Sequence, residues 1–185
     1  MITIWLGRRL TVINLPNLVT ISRILLVPLF TYLCLSSPAG LNIPAVVVFL
    51  AAALTDGLDG YLARSRKEVT RFGELIDPIA DKLLITAALL ALVELGQVST
   101  WAALIILARE FSVSGLRMLA AADGKVIAAS KLGKLKTVTQ IAAVTAFLLG
   151  ITWAPVLMWV AVVMTIFSGV DYFRNAQDIL KSSME

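Results

Sequence analysis

Six apolar runs, each about as long as a bilayer's hydrocarbon core is thick, decide what this chain can fold into. They fall at roughly 18–36, 43–63, 73–95, 99–121, 131–149 and 153–173. An α-helix rises 1.5 Å per residue, so about 20 apolar residues cross a core about 30 Å thick. The breaks carry turn chemistry: SSPAG at 36–40, GQVS at 96–99 and ADGK at 122–125, with GITWAP at 150–155 joining the last two runs. Only 15% of the residues are charged and 59% are hydrophobic, against roughly 25% charged in an ordinary soluble domain. The expected fold is therefore an all-α integral membrane protein of six transmembrane helices. It forms one domain over 1–185, with no internal repeat and no separate soluble part.

Lysine and arginine set the orientation. The breaks at 36–42, 96–100 and 150–154 contain neither residue. Positive charge gathers at the other ends of the runs: Arg8 and Arg9; Arg64, Arg66, Lys67 and Arg71; Lys125, Lys131, Lys134 and Lys136; Arg174 and Lys181. With an even number of spans, both termini lie in the cytoplasm. The head of the chain, ITIWLGRRL, mixes Trp5 and Leu6 with Arg8 and Arg9. Residues 1–14 are thus expected to form a short interfacial helix on the cytoplasmic leaflet. The first run has the apolar stretch of a signal peptide, but 23 residues make a long n-region and the cleavage pattern is poor, so an uncleaved span is expected.

Composition also removes chemistries. There is no histidine, which excludes a His-based triad, a His-ligated zinc and a His acid or base. Cys34 is the single cysteine, so no intrachain disulfide and no Cys-rich metal site can form. It lies in an apolar run, where a buried inert thiol is expected. The net charge of +4 is too small to point to nucleic acid; it suits an anionic lipid or a phosphorylated substrate.

Against this apolar background, TDGLDGYLARSRKEVTRFGELIDPIADK at 55–82 places Asp56, Asp59, Asp77 and Asp81 beside hydrocarbon-length sequence. Positions three and four apart share a helix face. The first pair falls at the cytoplasmic end of the second span and the second pair in the first turns of the third. Antiparallel neighbours can therefore gather all four carboxylates. Four anions in a low-dielectric site repel, and some would protonate unless a cation neutralised them. All-oxygen ligands without His or Cys favour Mg2+, Mn2+ or Ca2+. Gly57, Gly60 and Gly73 cost about 1 kcal/mol each in a helix interior relative to Ala, and in return permit close approach of a helix or a ligand.

Basic residues complement the acids. Arg109 and Arg117 lie about two turns apart in the cytoplasmic half of the fourth span, Lys131, Lys134 and Lys136 open the fifth, and Arg23 lies in the first. Arginine binds phosphate in bidentate fashion and lysine as a point charge. Some of the three lysines serve only as positive-inside anchors. Glu110 has two open roles, a partner on a neighbouring helix or a ligand contact. Lys82 is expected to snorkel or to pair with an aspartate. An acid cluster for metals beside a basic cluster for phosphate is the plan of a phosphoryl-transfer site on a phosphorylated lipid.

The pattern Asp56-x2-Asp59-Gly60-x2-Ala63-Arg64-x8-Gly73-x3-Asp77-x3-Asp81 resembles the full signature of the CDP-alcohol phosphotransferases. NLPNLVTISR at 14–23, ARE at 108–110, SGLR at 114–117 and ASKLGKLKT at 129–137 are similar to the bacterial branch of that family that makes phosphatidylglycerophosphate. The resemblance implies a homodimer with a cytoplasm-facing site for two Mg2+ or Mn2+ ions held by Asp56, Asp59, Asp77 and Asp81. It implies that Asp81 also acts as general base, and that Thr20, Asp59, Gly60, Ala63, Arg64 and Gly73 contact the cytidine diphosphate. Arg109, Arg117 and Lys134 become the candidates for the acceptor phosphate. The implied reaction transfers the phosphatidyl group of CDP-diacylglycerol to sn-glycerol 3-phosphate, with release of CMP, in the bacterial cytoplasmic membrane. Nucleic acid is not an expected partner.

Two other readings make distinct predictions. The same enzyme class with inositol phosphate or phosphatidylglycerol as acceptor differs in the acceptor pocket. A cation transporter would need polar residues through the full thickness of several spans, whereas the outer halves here are nearly free of charge.

Overall fold

Glycine, proline and side-chain caps divide the apolar sequence into helices. The computed structural model describes residues 15–37, 40–66, 71–122 and 130–176, with the side chains of 15–20, 56–66, 71–78, 81 and 122 outside the described set. Its helices are α1 (Leu15–Ser36), α2 (Ile43–Arg66), α3 (Arg71–Glu94), α4 (Thr100–Ala122), α5 (Lys131–Leu148) and α6 (Ala154–Asn175). No strand occurs among the described residues. The six expected runs thus each become one helix. The expected interfacial helix at 1–14 and most of the ADGK break lie outside the described residues.

The turns show why the helices stop. At the end of α3, Gly96 takes φ 68°. Its amide donates to the Val93 carbonyl, and the Gln97 amide donates to that of Leu92, at 2.9 Å each. Gly150 (φ 66°) closes α5 in the same way, with Ile151 N–H donating to the Ala146 carbonyl at 2.9 Å. Both are the two-bond helix ending that favours glycine. Gly150 is further constrained by its surroundings, because a Cβ there would lie 3.2 Å from the Gly40 carbonyl carbon.

Asn42 ties these ends together. Its amide donates to the Leu148 carbonyl at 2.8 Å. Its side-chain Nδ2 donates to the Leu33 carbonyl at 2.8 Å, and its Oδ1 accepts from the Ala45 amide at 3.1 Å, capping α2. One buried asparagine therefore links the last turns of α1 and α5 to the first turn of α2.

The helices pack α1 on α2 and α3, α5 on α6 and α2, and α4 on α6 and α3. Phe30, Phe49, Leu89, Leu92, Ile106, Val144 and Val162 form the core, with the rings of Phe30 and Phe49 5.5 Å apart. Small residues fill the helix interfaces: Ala45, Ala52, Ala88, Ala102, Ala143 and Ala161 are each at most 1% exposed. Close backbone approach through small residues is how helices associate in lipid, where no hydrophobic drive exists between them. Cys34 is buried among them, as expected of an inert thiol.

Large apolar side chains stand on the described outside of the bundle. Leu25, Tyr32, Leu54, Trp101, Met118 and Trp153 are each at least 66% exposed, whereas Arg23, Asn42, Lys136, Gln140, Thr165 and Ser168 are buried. By length and composition together, one helix among the described residues, α6, qualifies to cross a bilayer.

Candidate active site

The seam between α4, α5 and α6 carries four of the six buried polar side chains among the described residues: Lys136, Gln140, Thr165 and Ser168. It starts where Ser130 caps α5, its Oγ accepting from the Gly133 amide at 3.1 Å. From that cap the helical period places Lys136 and Gln140 one turn apart on the buried face, while Lys131 and Lys134 are exposed. Lys134 and Lys136 are two residues apart, hence about 200° apart around the axis.

Lys136, Gln140 and Arg109 each reach a partner on another helix. Lys136 Nζ donates to Glu110 Oε1 on α4. Gln140 Nε2 donates to Thr165 Oγ1 on α6 at 3.1 Å, and that hydroxyl donates to the Ala161 carbonyl at 2.6 Å. Arg109 Nη2 donates to Ser168 Oγ at 2.7 Å, and Nη1 lies 3.7 Å from Glu110 Oε1. Gly169 makes room for this arginine, since a Cβ there would sit 3.2 Å from Arg109 Cγ. Two turns further along α4 and one turn further along α6, Arg117 Nε donates to Tyr172 Oη at 3.2 Å, and its guanidinium carbon stands 5.4 Å from the ring centroid. Val113, Leu116, Tyr172 and Ala176 form a small apolar cluster that holds this end.

The structure thus brings Arg109, Glu110 and Arg117 of α4 together with Lys136 of α5 and Ser168 and Tyr172 of α6. Three cations face one carboxylate, and a net positive seam attracts anions. Of the two roles open to Glu110, the neighbouring-helix partner is the one observed. Arg109 and Arg117 share the seam, and Arg117 is exposed. Lys134 stands on the exposed face of α5, away from Lys136. Arg23 is buried in α1. Ser168, Gly169 and Tyr172 were not singled out by the sequence, and Lys136 was named only among the three lysines that open the fifth run. Their signal was a Ser-Gly pair one turn before a tyrosine in an otherwise apolar helix, and a lysine four residues before Gln140.

The acidic positions lie on the adjacent pair of helices. Asp56, Asp59, Gly60, Ala63 and Arg64 are on α2, Gly73, Asp77 and Asp81 on α3, and Thr20 on α1, all with side chains outside the described set. α2 is continuous through Gly57 and Gly60, and it packs against α3. Because α2 descends toward Arg66 and α3 begins at Arg71, both acidic pairs lie toward the same end of the bundle as the start of α5 and the end of α6.

With this arrangement in view, the comparison with known proteins is direct. The family model for CDP-alcohol phosphatidyltransferase matches residues 13–167, and the chain belongs to that family. The chain is similar to the CDP-diacylglycerol–glycerol-3-phosphate 3-phosphatidyltransferase of Bacillus subtilis (strain 168). The two are 40% identical, over 92% of this chain and 98% of that one. It is similar also to the proteins of the same name from Rickettsia typhi, 37% identical over 87% of this chain and 96% of that one, and Haemophilus influenzae, 36% identical over 93% and 98%.

Proposed function

We infer that this protein transfers the phosphatidyl group of CDP-diacylglycerol to sn-glycerol 3-phosphate, releasing CMP. The observation that carries the reading is the cationic seam of Arg109, Arg117 and Lys136, at the end of the bundle where the family's acidic signature lies on α2 and α3. A phosphorylated acceptor requires such a seam and an uncharged one does not.

The donor set fits a hard divalent ion. Four carboxylates on two packed helices, with neither His nor Cys, offer only oxygen ligands. Asp56, Asp59, Asp77 and Asp81 would hold two Mg2+ or Mn2+ ions, which when bound polarise the phosphoryl oxygens and offset the charge on departing CMP. Thr20, Asp59, Gly60, Ala63, Arg64 and Gly73 hold the cytidine diphosphate, with the missing side chains of the glycines admitting it close to the backbone. Arg109 and Arg117 on the seam, together with Lys134 from the exposed face of α5, hold the acceptor phosphate. Asp81 takes the proton of the attacking hydroxyl as its oxygen bonds to the β-phosphorus and the bond to the CMP oxygen breaks. Orientation of the two substrates supplies much of the acceleration, because phosphoryl transfer is largely positioning and charge neutralisation.

The same reading sets the protein in a bacterial cytoplasmic membrane as one domain over 1–185. All six helices span, and both termini and the site face the cytoplasm. Helices of 18 to 24 residues are roughly 27 to 36 Å long, which matches a bilayer core. The described outer surface is apolar enough to be lipid-facing. The acyl chains can then remain in lipid while the head group reacts. The enzyme works as a homodimer.

The test is CMP release by the purified full-length protein from CDP-diacylglycerol, with glycerol 3-phosphate, inositol phosphate or phosphatidylglycerol offered separately. Release with glycerol 3-phosphate, abolished by a divalent-ion chelator, supports the reading. Release with inositol phosphate alone overturns the acceptor, and full activity in chelator overturns the metal site.

A further inference from the structure

A groove of about 550 Å3 opens between α4 and α6 on the outer surface of the bundle. It lies away from the signature positions on α2 and α3 and shares Arg109 with the α4–α5–α6 seam. Its α6 wall is an apolar stripe: Ile166, Val170 and Phe173 recur at i, i+4 and i+7, each 40–48% exposed. Its end nearer the terminus of α6 is cationic. Arg174, exposed in the last turn, closes that end, and Arg109 and Ser112 of α4 line the opposite wall. Arg109 keeps a buried Nε without a hydrogen-bond partner.

We propose that this groove binds an anionic glycerophospholipid other than the substrate, with its head-group phosphate on Arg174 at the positive end and an acyl chain along Ile166, Val170 and Phe173. The inference rests on the membrane-embedded transferase reading above. Charge and shape select this occupant. Arginine forks match phosphate oxygens, and Arg174 in the last turn of α6 is at head-group level on the membrane reading, while the stripe runs from there toward the bilayer centre. A free phosphate would have no use for the apolar stripe.

The experiment uses the full chain in nanodiscs of phosphatidylcholine with or without phosphatidylserine. Native mass spectrometry counts the retained phosphatidylserine, and CMP release is measured on the same samples. The wild type retains phosphatidylserine in preference to phosphatidylcholine. Arg174→Gln lowers that retention about tenfold, as does Val170→Trp, which fills the stripe. Lys131→Gln, an exposed cation on α5, changes nothing, and all three variants still release CMP in phosphatidylcholine. Equal retention by wild type and Arg174→Gln, with CMP release intact, overturns the groove site and leaves the transferase reading standing. Retention that depends on Arg174 in a wild-type protein that releases no CMP supports the groove and overturns the transferase reading instead. A photo-cross-link from position 170 to a second copy of the chain also overturns the proposal.

Discussion

Lys136→Met should be among the most destabilising substitutions on the α4–α5–α6 seam. The side chain is 6% exposed and its Nζ donates to Glu110, which is 12% exposed. Removing one member of a buried ion pair leaves its partner charged and desolvated, at a cost of about 3–5 kcal/mol in a fully buried site. Two features here reduce that figure. Glu110 keeps Arg109 Nη1 at 3.7 Å, and it is not completely enclosed. The expected loss is therefore about 2–3 kcal/mol, below the fully buried range because a second cation remains. Methionine nearly preserves the volume, so little of this loss comes from a cavity. Adding Glu110→Gln removes the stranded charge, and the double variant should recover to within about 1 kcal/mol of the wild type, since swapping a buried pair for uncharged groups is often close to neutral. Reversible unfolding in mixed micelles, followed by circular dichroism for the wild type, both single variants and the double variant, completes the cycle. A Lys136→Met protein as stable as the wild type, or a double variant no better than the single one, would refute the reasoning.

Three further outcomes are expected. Asp81→Asn abolishes CMP release while CDP-diacylglycerol still binds, because the base is lost and a ligand oxygen stays; normal turnover would remove Asp81 from the mechanism. Lys134→Ala raises the apparent KM for glycerol 3-phosphate far more than that for CDP-diacylglycerol, and an equal rise in steady-state kinetics would dismiss it as an acceptor ligand. Asn42→Ala costs about 1–2 kcal/mol through the lost cap of α2, plus the price of leaving the Leu33 carbonyl without its donor; thermal unfolding unchanged from the wild type would count against the clasp.

The helices were legible because two independent signals agree at their ends. Hydropathy marks the runs, and Gly96 and Gly150 mark where backbone must turn left-handed. Boundaries shift by up to three residues where polar residues continue a helix, as Arg64–Arg66 do in α2 and Arg71 in α3. Hydrogen bonding, not hydropathy, decides those last turns. The site was legible in residue type and less so in pairing. Nothing local distinguishes Lys134 from Lys136; two steps of helix send one outward and the other to Glu110, 26 positions away in sequence. Arg109 was expected at a phosphate, and its guanidinium is also committed to Ser168, 59 positions on. Such contacts depend on which helices become neighbours, and apolar periodicity alone does not specify that.

The clasp at Asn42 has a mechanical consequence. Three helix ends are stapled by Asn42 at the pole of the bundle remote from the aspartate positions. Any breathing that admits a bulky nucleotide-bearing lipid must then pivot about that pole, with the helices spreading at the opposite end like the blades of a forceps. The amides of Asn42 and Ala45 should accordingly exchange hydrogen most slowly, and those of the opposite helix ends fastest.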